Sequence, residues 1–239
     1  MSASSQRVHS IGSGTAVALG IVAAAIALLT FCRLVGWDPT WRAFGVTPLQ
    51  PPFFDMHVIN DYAACARKGV DAYAPHACNG DNFNIPPTWL WLGFLGIDGS
   101  DSSWLSAVII GAAAIVMVLL LKGRSWSHGA IALAAVISPS VMIGVERGNL
   151  DLLILALVGS AALIYEESRT ARAAGAIAVL CLATALKLFP MFCVSLVARF
   201  SRQTFIFACV VGALTSVYLL SIIHYIFLIR RNVPTTFVL

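Results

Sequence analysis

Long apolar runs separated by short charged clusters make up most of this chain, and one polar stretch interrupts them. The first run, Thr15 to Val35, follows Arg7 and His9. At about 20 residues it is long enough to cross the hydrocarbon core as a helix. A cleaved signal peptide is the competitor, but the run exceeds an ordinary signal core and no convincing small-residue cleavage site precedes Trp37. An uncleaved first span over about 15–36 is therefore expected. Further runs lie at Trp104–Leu121, Ala130–Val145, Leu152–Tyr165, Ala173–Ala198 and Phe205–Ile229, each closed by charged residues. The pattern predicts an all-α, polytopic transmembrane helical bundle, a single membrane domain over 1–239.

Loop charges set its orientation, because short cytoplasmic loops are enriched in Lys and Arg. With Arg7 inside, the stretch 37–102 is an extracytoplasmic loop, Lys122/Arg124 and Arg169/Arg172 fall inside, and Glu146–Asp151 falls outside. Arg199 and Arg202 fall inside only if Ala173–Ala198 is a hairpin of two short helices, broken near Lys187–Pro190. Proline disfavours helix interiors, so the hairpin is the preferred reading. The acidic loop, the Glu146–Asp151 cluster, Lys187 and Arg230/Arg231 are then expected on one extracytoplasmic face. The remaining spans occupy 103–229, and 230–239 reads as the start of a further external loop.

Composition agrees. The 239 residues are 59% hydrophobic and only 11% charged, with mean hydropathy +0.87. A soluble domain carries about 25% charged residues, so this chain cannot solvate a globular surface. A nucleic-acid binder, a disordered chain and a small disulfide scaffold are excluded on the same grounds, and the net charge of +4 matters less than its placement.

Seven of the 11 acidic residues and seven of the ten prolines lie between Asp38 and Asp101. Long loops are usually functional or disordered, and the aromatic residues running through this one argue for a folded loop. Phe53-Phe54-Asp55-Met56-His57-Val58-Ile59-Asn60-Asp61-Tyr62 carries two carboxylates that need not face the same way, and a lone desolvated carboxylate suits a general base. The plainer alternatives are a solvated loop aspartate or a helix cap. His57 is more often a structural hydrogen-bonder than a ligand, and an Asp55/His57 metal pair has no diagnostic spacing. Phe83-Asn84-Ile85-Pro86-Pro87-Thr88-Trp89-Leu90-Trp91 opens a short apolar segment, 86–97, read as re-entrant or interfacial, with an aromatic belt as the plain alternative.

Glu146-Arg147-Gly148-Asn149-Leu150-Asp151 places ionisable groups at a span boundary, where they are functional candidates by default, although Glu146 and Arg147 could neutralise each other. Lys187 either snorkels or holds an anion such as phosphate. Arg230 and Arg231 either clamp phosphate or mark a membrane edge. Cys32, Cys181, Cys193 and Cys209 sit in spans and are expected to be inert, whereas Cys65 and Cys78 share the outer loop and form a disulfide candidate in an oxidising compartment. There is no CxxC, HExxH, Walker or GxGxxG motif, so nucleotide binding, zinc proteolysis and thiol redox chemistry have no support.

The order Phe53–Ile59, Asp61-Tyr62-Ala63-Ala64, Gly69-Val70-Asp71-Ala72-Tyr73, Phe83–Pro87, Glu146–Asp151 and Lys187-Leu188-Phe189-Pro190 resembles glycosyltransferase family 87. These are integral-membrane GT-C enzymes related to mannosyltransferases that use polyprenyl-phosphate-mannose. The likeness covers roughly residues 15–235, and because family members are usually longer it implies that the C-terminal spans are absent. It implies a hexosyltransferase in the plasma (inner) membrane, with a polyprenyl-phosphate sugar donor and a lipid or glycan acceptor. No cofactor, metal or nucleic-acid partner is implied. Asp55 matches the family's loop aspartate, implied to be the base. Substrate-binding roles fall to Asp61, His57, Glu146, Arg147, Asn149, Lys187, Arg230 and Arg231. A transporter or flippase for lipid-linked sugar, or an inactive fragment of the transferase, are the alternatives.

Overall fold

Helices account for the regular structure, and the computed structural model describes residues 20–21, 23–25, 27–28, 30–74, 77–78, 83–121, 126–165, 170–187 and 202–232. Among them there is no β-strand, so the chain is all-α as the apolar runs predict. It divides into two units, Met1–Phe54 with Ser106–Ala156, and Asp55–Leu105 with Leu157–Leu239.

In the first unit the helix Trp37–Ala43 starts where Gly36 takes φ 99°, and Thr40 Oγ1 donates to the Gly36 carbonyl at 2.7 Å. It drives Trp41 into a cluster with Val46 and Met142. The run Ala130–Val145 is not one rod. It forms Trp126–Val136 and then Pro139–Arg147, bent by 52°. The cause is Pro139, which cannot continue a helix but is well placed in the first turn of a new one. That second helix stops at Gly148, left-handed at φ 62°. A side chain at Gly148 would collide with Ser106 Oγ, so glycine is required here both by conformation and by space. The next helix, Leu150–Ile164, is started by Asn149, whose Oδ1 accepts the Asp151 N–H at 2.8 Å.

In the second unit the polar stretch expected to be a folded loop carries helices of its own. Helix Phe54–Arg67 buries Met56, Ile59, Asn60, Tyr62 and Ala63, a spacing that sets one face inward. Tyr62 stacks on Phe83 at 4.9 Å, and Tyr73 meets Phe83 at 5.2 Å and Tyr225 at 4.9 Å. The turn Gly99–Asp101 is closed by a capping box in which Asp98 and Asp101 each accept from the other end's backbone. Pro87–Leu90 and Trp91–Phe94 tie the unit together. Thr88 Oγ1 donates to the Ala185 carbonyl at 2.8 Å, and Trp89 Nε1 donates to that of Leu186 at 3.1 Å. Both carbonyls end the helix Thr170–Leu186, where intrahelical donors run out.

Among the described residues one helix, Gly99–Leu121, is long and apolar enough to cross a membrane, and up to three spans exist if each bent pair counts as one. The second bent pair, Gly212–Ser221 with Ile223–Arg230, turns by 63° within the run expected to be a continuous span. Leu150–Ile164 has only 15 residues. At ~1.5 Å per residue it falls short of a hydrocarbon core about 30 Å thick. The second arm of the hairpin at 173–198, including Pro190 and Cys193, lies outside the described residues, as do Arg7, Lys122, Arg124, Arg169 and Arg199.

Candidate active site

Asp55 occupies the first turn of helix Phe54–Arg67 and is half-buried. At ~100° per residue, His57 and Asp61 stand roughly 160° and 120° around the helix from it. The three candidates on this helix therefore divide into Asp55 on one side and His57 with Asp61 on another. The latter two are joined, His57 Nε2 lying 3.2 Å from Asp61 Oδ2 one turn on. The other ring nitrogen, Nδ1, is 3.1 Å from the Gly99 carbonyl. Both ring nitrogens thus face oxygen atoms of neighbouring groups. Gly99 lies so close to Asp61 and His57 that a β-carbon there would strike the Asp61 carboxylate.

A cavity of about 480 Å³ opens beside this pair, lined also by Arg67, Lys68, Asp98, Ser100 and the Cys65–Cys78 disulfide. The two cysteine α-carbons are 5.9 Å apart. Asp98 accepts from both the hydroxyl and the backbone N–H of Ser100, at 2.6 and 2.9 Å. These bonds, the hydroxyl's first, hold its carboxyl below the usual carboxylate range. Arg67, Lys68, Asp98 and Ser100 are not among the sequence candidates. The signal present in the sequence is the helical spacing His57, Asp61, Ala64, Lys68, which puts all four on one stripe.

Glu146 is fully buried, and its role in the first unit is to hold the chain leading to Phe53. Its Oε1 accepts the Leu49 N–H at 2.9 Å, and its backbone carbonyl accepts the Phe53 N–H at 3.2 Å. Phe53 itself is left-handed at φ 59°, a conformation costly for a bulky residue, and its ring sits edge-on to Trp37 at 5.1 Å. No ion pair joins Glu146 to Arg147 among the described residues, since neighbours in a helix point about 100° apart. Arg147 Nε is buried without a hydrogen-bond acceptor among them. Asn149 caps the following helix.

In the second unit Lys187 follows directly on the helix Thr170–Leu186, its N–H donating to the Ala183 carbonyl at 2.9 Å. Arg230 is exposed on the helix Ile223–Asn232, and the Arg231 side chain lies outside what the structure describes. Among the described residues no three His, Cys, Asp or Glu side chains gather closely enough to hold a metal ion.

The family model of glycosyltransferase family 87 matches residues 85–226, more than half of the chain. The chain belongs to glycosyltransferase family 87. It is accordingly a membrane glycosyltransferase, an enzyme with a sugar donor and an acceptor as substrates. The matched segment of this family 87 protein contains Thr88, Trp89, Glu146, Arg147, Asn149 and Lys187, whereas Asp55, His57 and Asp61 precede it and Arg230 and Arg231 follow it. Comparison with curated proteins and with solved structures gave no match.

Proposed function

We propose that this family 87 enzyme transfers a hexose, mannose-like, from a polyprenyl phosphate to a hydroxyl of a lipid or glycan acceptor. The reaction occurs at the extracytoplasmic face of the plasma membrane, in a multi-pass GT-C bundle. Asp55 takes the acceptor proton. The acceptor oxygen attacks the anomeric carbon as the bond from that carbon to the phosphate oxygen breaks. The sugar inverts in one displacement, and polyprenyl phosphate leaves with the electron pair.

The observation that carries this reading is Asp55, a half-buried carboxylate in the first turn of helix Phe54–Arg67. Shielding from bulk water suits a group that must hold one proton at one place. The leaving group is an anion, so cations beside it lower the barrier. Arg147 supports that part: its buried Nε has no acceptor among the described residues, and a guanidinium binds phosphate oxygens well. Lys187, Arg230 and Arg231 supply the remaining positive charge, while Glu146 and Asn149 fix the segment from which Arg147 projects.

The test incubates membranes containing the full chain with labelled polyprenyl-phosphate-mannose and with its glucose and arabinose counterparts. Label from the mannose or glucose donor is expected in a lipid or glycan fraction. Transfer from a nucleotide sugar with none from any polyprenyl donor would overturn the assignment. Solute uptake by proteoliposomes lacking a sugar donor would favour a transporter instead.

A further inference from the structure

The cavity beside His57 and Asp61 lies on another side of helix Phe54–Arg67 from Asp55. Its location is informative. Gly99, the first residue of the membrane-length helix Gly99–Leu121, lines the cavity. The cavity therefore stands at the end of a helix long and apolar enough to span a membrane, where a spanning helix would meet lipid headgroups.

An apolar group lies on the same short segment. Trp91, Phe94 and Leu95 are 68%, 67% and 75% exposed, and the Trp91 and Phe94 rings are 5.4 Å apart. Spaced i, i+3 and i+4, they share one face of the short helix Trp91–Phe94 and its end. Three large exposed apolar side chains near the start of a membrane-length helix suit an interfacial membrane contact. The cavity begins where this group ends. A β-carbon at Gly96 would stand 3.8 Å from Arg67 Nη1, so the guanidinium reaches the residue after Leu95.

The cavity is lined by charges from two elements, Arg67 and Lys68 at the end of helix Phe54–Arg67 and Asp98 at the turn that opens Gly99–Asp101. Arg67 and Lys68 are exposed, and neither is in an ion pair among the described residues. On the turn, Asp98 gives one oxygen, Oδ1, to both Ser100 bonds, and neither of them uses Oδ2. A simple anion would meet Asp98 and Asp61, and a simple cation would meet Arg67 and Lys68. A zwitterion with phosphate at one end and an ammonium at the other satisfies both signs of charge.

We infer that the cavity holds the headgroup of a zwitterionic glycerophospholipid bearing a primary amine. Its phosphate lies against Arg67 and Lys68, its ammonium against Asp98, and its acyl chains over Trp91, Phe94 and Leu95. A choline headgroup has the same charges but no N–H to donate, and a glycerol headgroup lacks the cation.

Native mass spectrometry of the purified full chain tests this, with equal amounts of phosphatidylethanolamine, phosphatidylcholine and phosphatidylglycerol of matched chains. Phosphatidylethanolamine is expected to be retained roughly tenfold over the others, the equivalent of one charge-assisted hydrogen bond. Asp98→Asn keeps the turn, because Asn caps as well as Asp, and erases the preference over phosphatidylcholine. Arg67→Gln with Lys68→Gln lowers retention of all three lipids. Brominated acyl chains quench wild-type fluorescence more than that of Trp91→Phe. Equal retention, preference for phosphatidylglycerol, an unchanged preference in Asp98→Asn, or equal quenching would each overturn the assignment. None of these readouts uses sugar transfer, so they stand apart from the donor and base assignments.

Discussion

Gly93 rests against the backbone carbonyl of Ala63, leaving no room for a β-carbon between them. The contact fastens the short helix Trp91–Phe94 onto the helix that carries Asp55. From the same strap Thr88 and Trp89 reach the last carbonyls of helix Thr170–Leu186, and Tyr218 OH lies 2.7 Å from Thr88 Oγ1. Gly93→Ala would push a methyl group into a backbone that cannot yield as a side chain can. A loss of about 1–3 kcal/mol is expected, the usual cost of overpacking. It would be read as a lowered thermal midpoint in detergent. A midpoint equal to wild type would show that the strap moves freely.

Two carboxylates on the helix Phe54–Arg67 are expected to differ sharply on mutation. Asp55→Asn should reduce sugar transfer by at least ~10²-fold, the lower end of what a positioned base contributes, with unchanged expression in the membrane. Asp61 points instead to His57 and the Gly99 turn. Asp61→Asn removes a partly exposed pair worth about 0–1 kcal/mol and should leave turnover close to wild type. Turnover measured for both variants decides the matter. Equal losses, or retained transfer in Asp55→Asn, would remove Asp55 from the role of base.

The membrane-length helix is legible in the sequence because Trp104–Leu121 is an unbroken apolar run, and it forms with only its polar first turn added. The bend after Val136 is masked by the length of its run, although Pro139 marks the break. Helix Phe54–Arg67 is hidden for a different reason. Its Asp, His and Asn residues interrupt the apolar pattern, yet Met56, Ile59, Asn60 and Ala63 keep the inward spacing. Once that helix is known, the His57–Asp61 pair follows from their four-residue separation. The placement of Arg67 near Gly96, and of Leu49 against Glu146, joins segments far apart in sequence, and local spacing carries no record of it. The adjacency of Glu146 and Arg147 invites pairing, but on a helix it forbids it.

Ser106 and Gly148 form a second contact that admits no larger residue. Gly148→Ala meets both the Ser106 hydroxyl and the cost of a left-handed backbone, roughly 1 kcal/mol for alanine. Ser106→Ala alone should be neutral or slightly stabilising, because its buried Oγ has no hydrogen-bond partner among the described residues. The double variant should recover part of the loss and keep the conformational part. A double-mutant cycle on thermal midpoints measures this, and strict additivity would show that the two residues do not touch in solution.

Tyr73 gives the chain a dependence on alkaline pH. It is 3% exposed and its hydroxyl donates to the Ile85 carbonyl at 2.7 Å. Burial first, then Tyr225, Tyr218 and Asp71, raise its phenol well above the ordinary value. The raised group is neutral in the folded chain while the unfolded chain ionises near pH ~10. Its contribution is therefore complete below that pH and is lost as pH rises towards the folded value. The slope approaches about 1.4 kcal/mol per pH unit for this one group. Tyr73→Phe should be less stable than wild type near pH 8, by about 1 kcal/mol for the lost hydrogen bond. Above pH 10 the wild type should fall faster, so the gap narrows or reverses. Thermal midpoints of both proteins between pH 8 and 11 test this, and parallel curves would mean that another tyrosine carries the alkaline dependence.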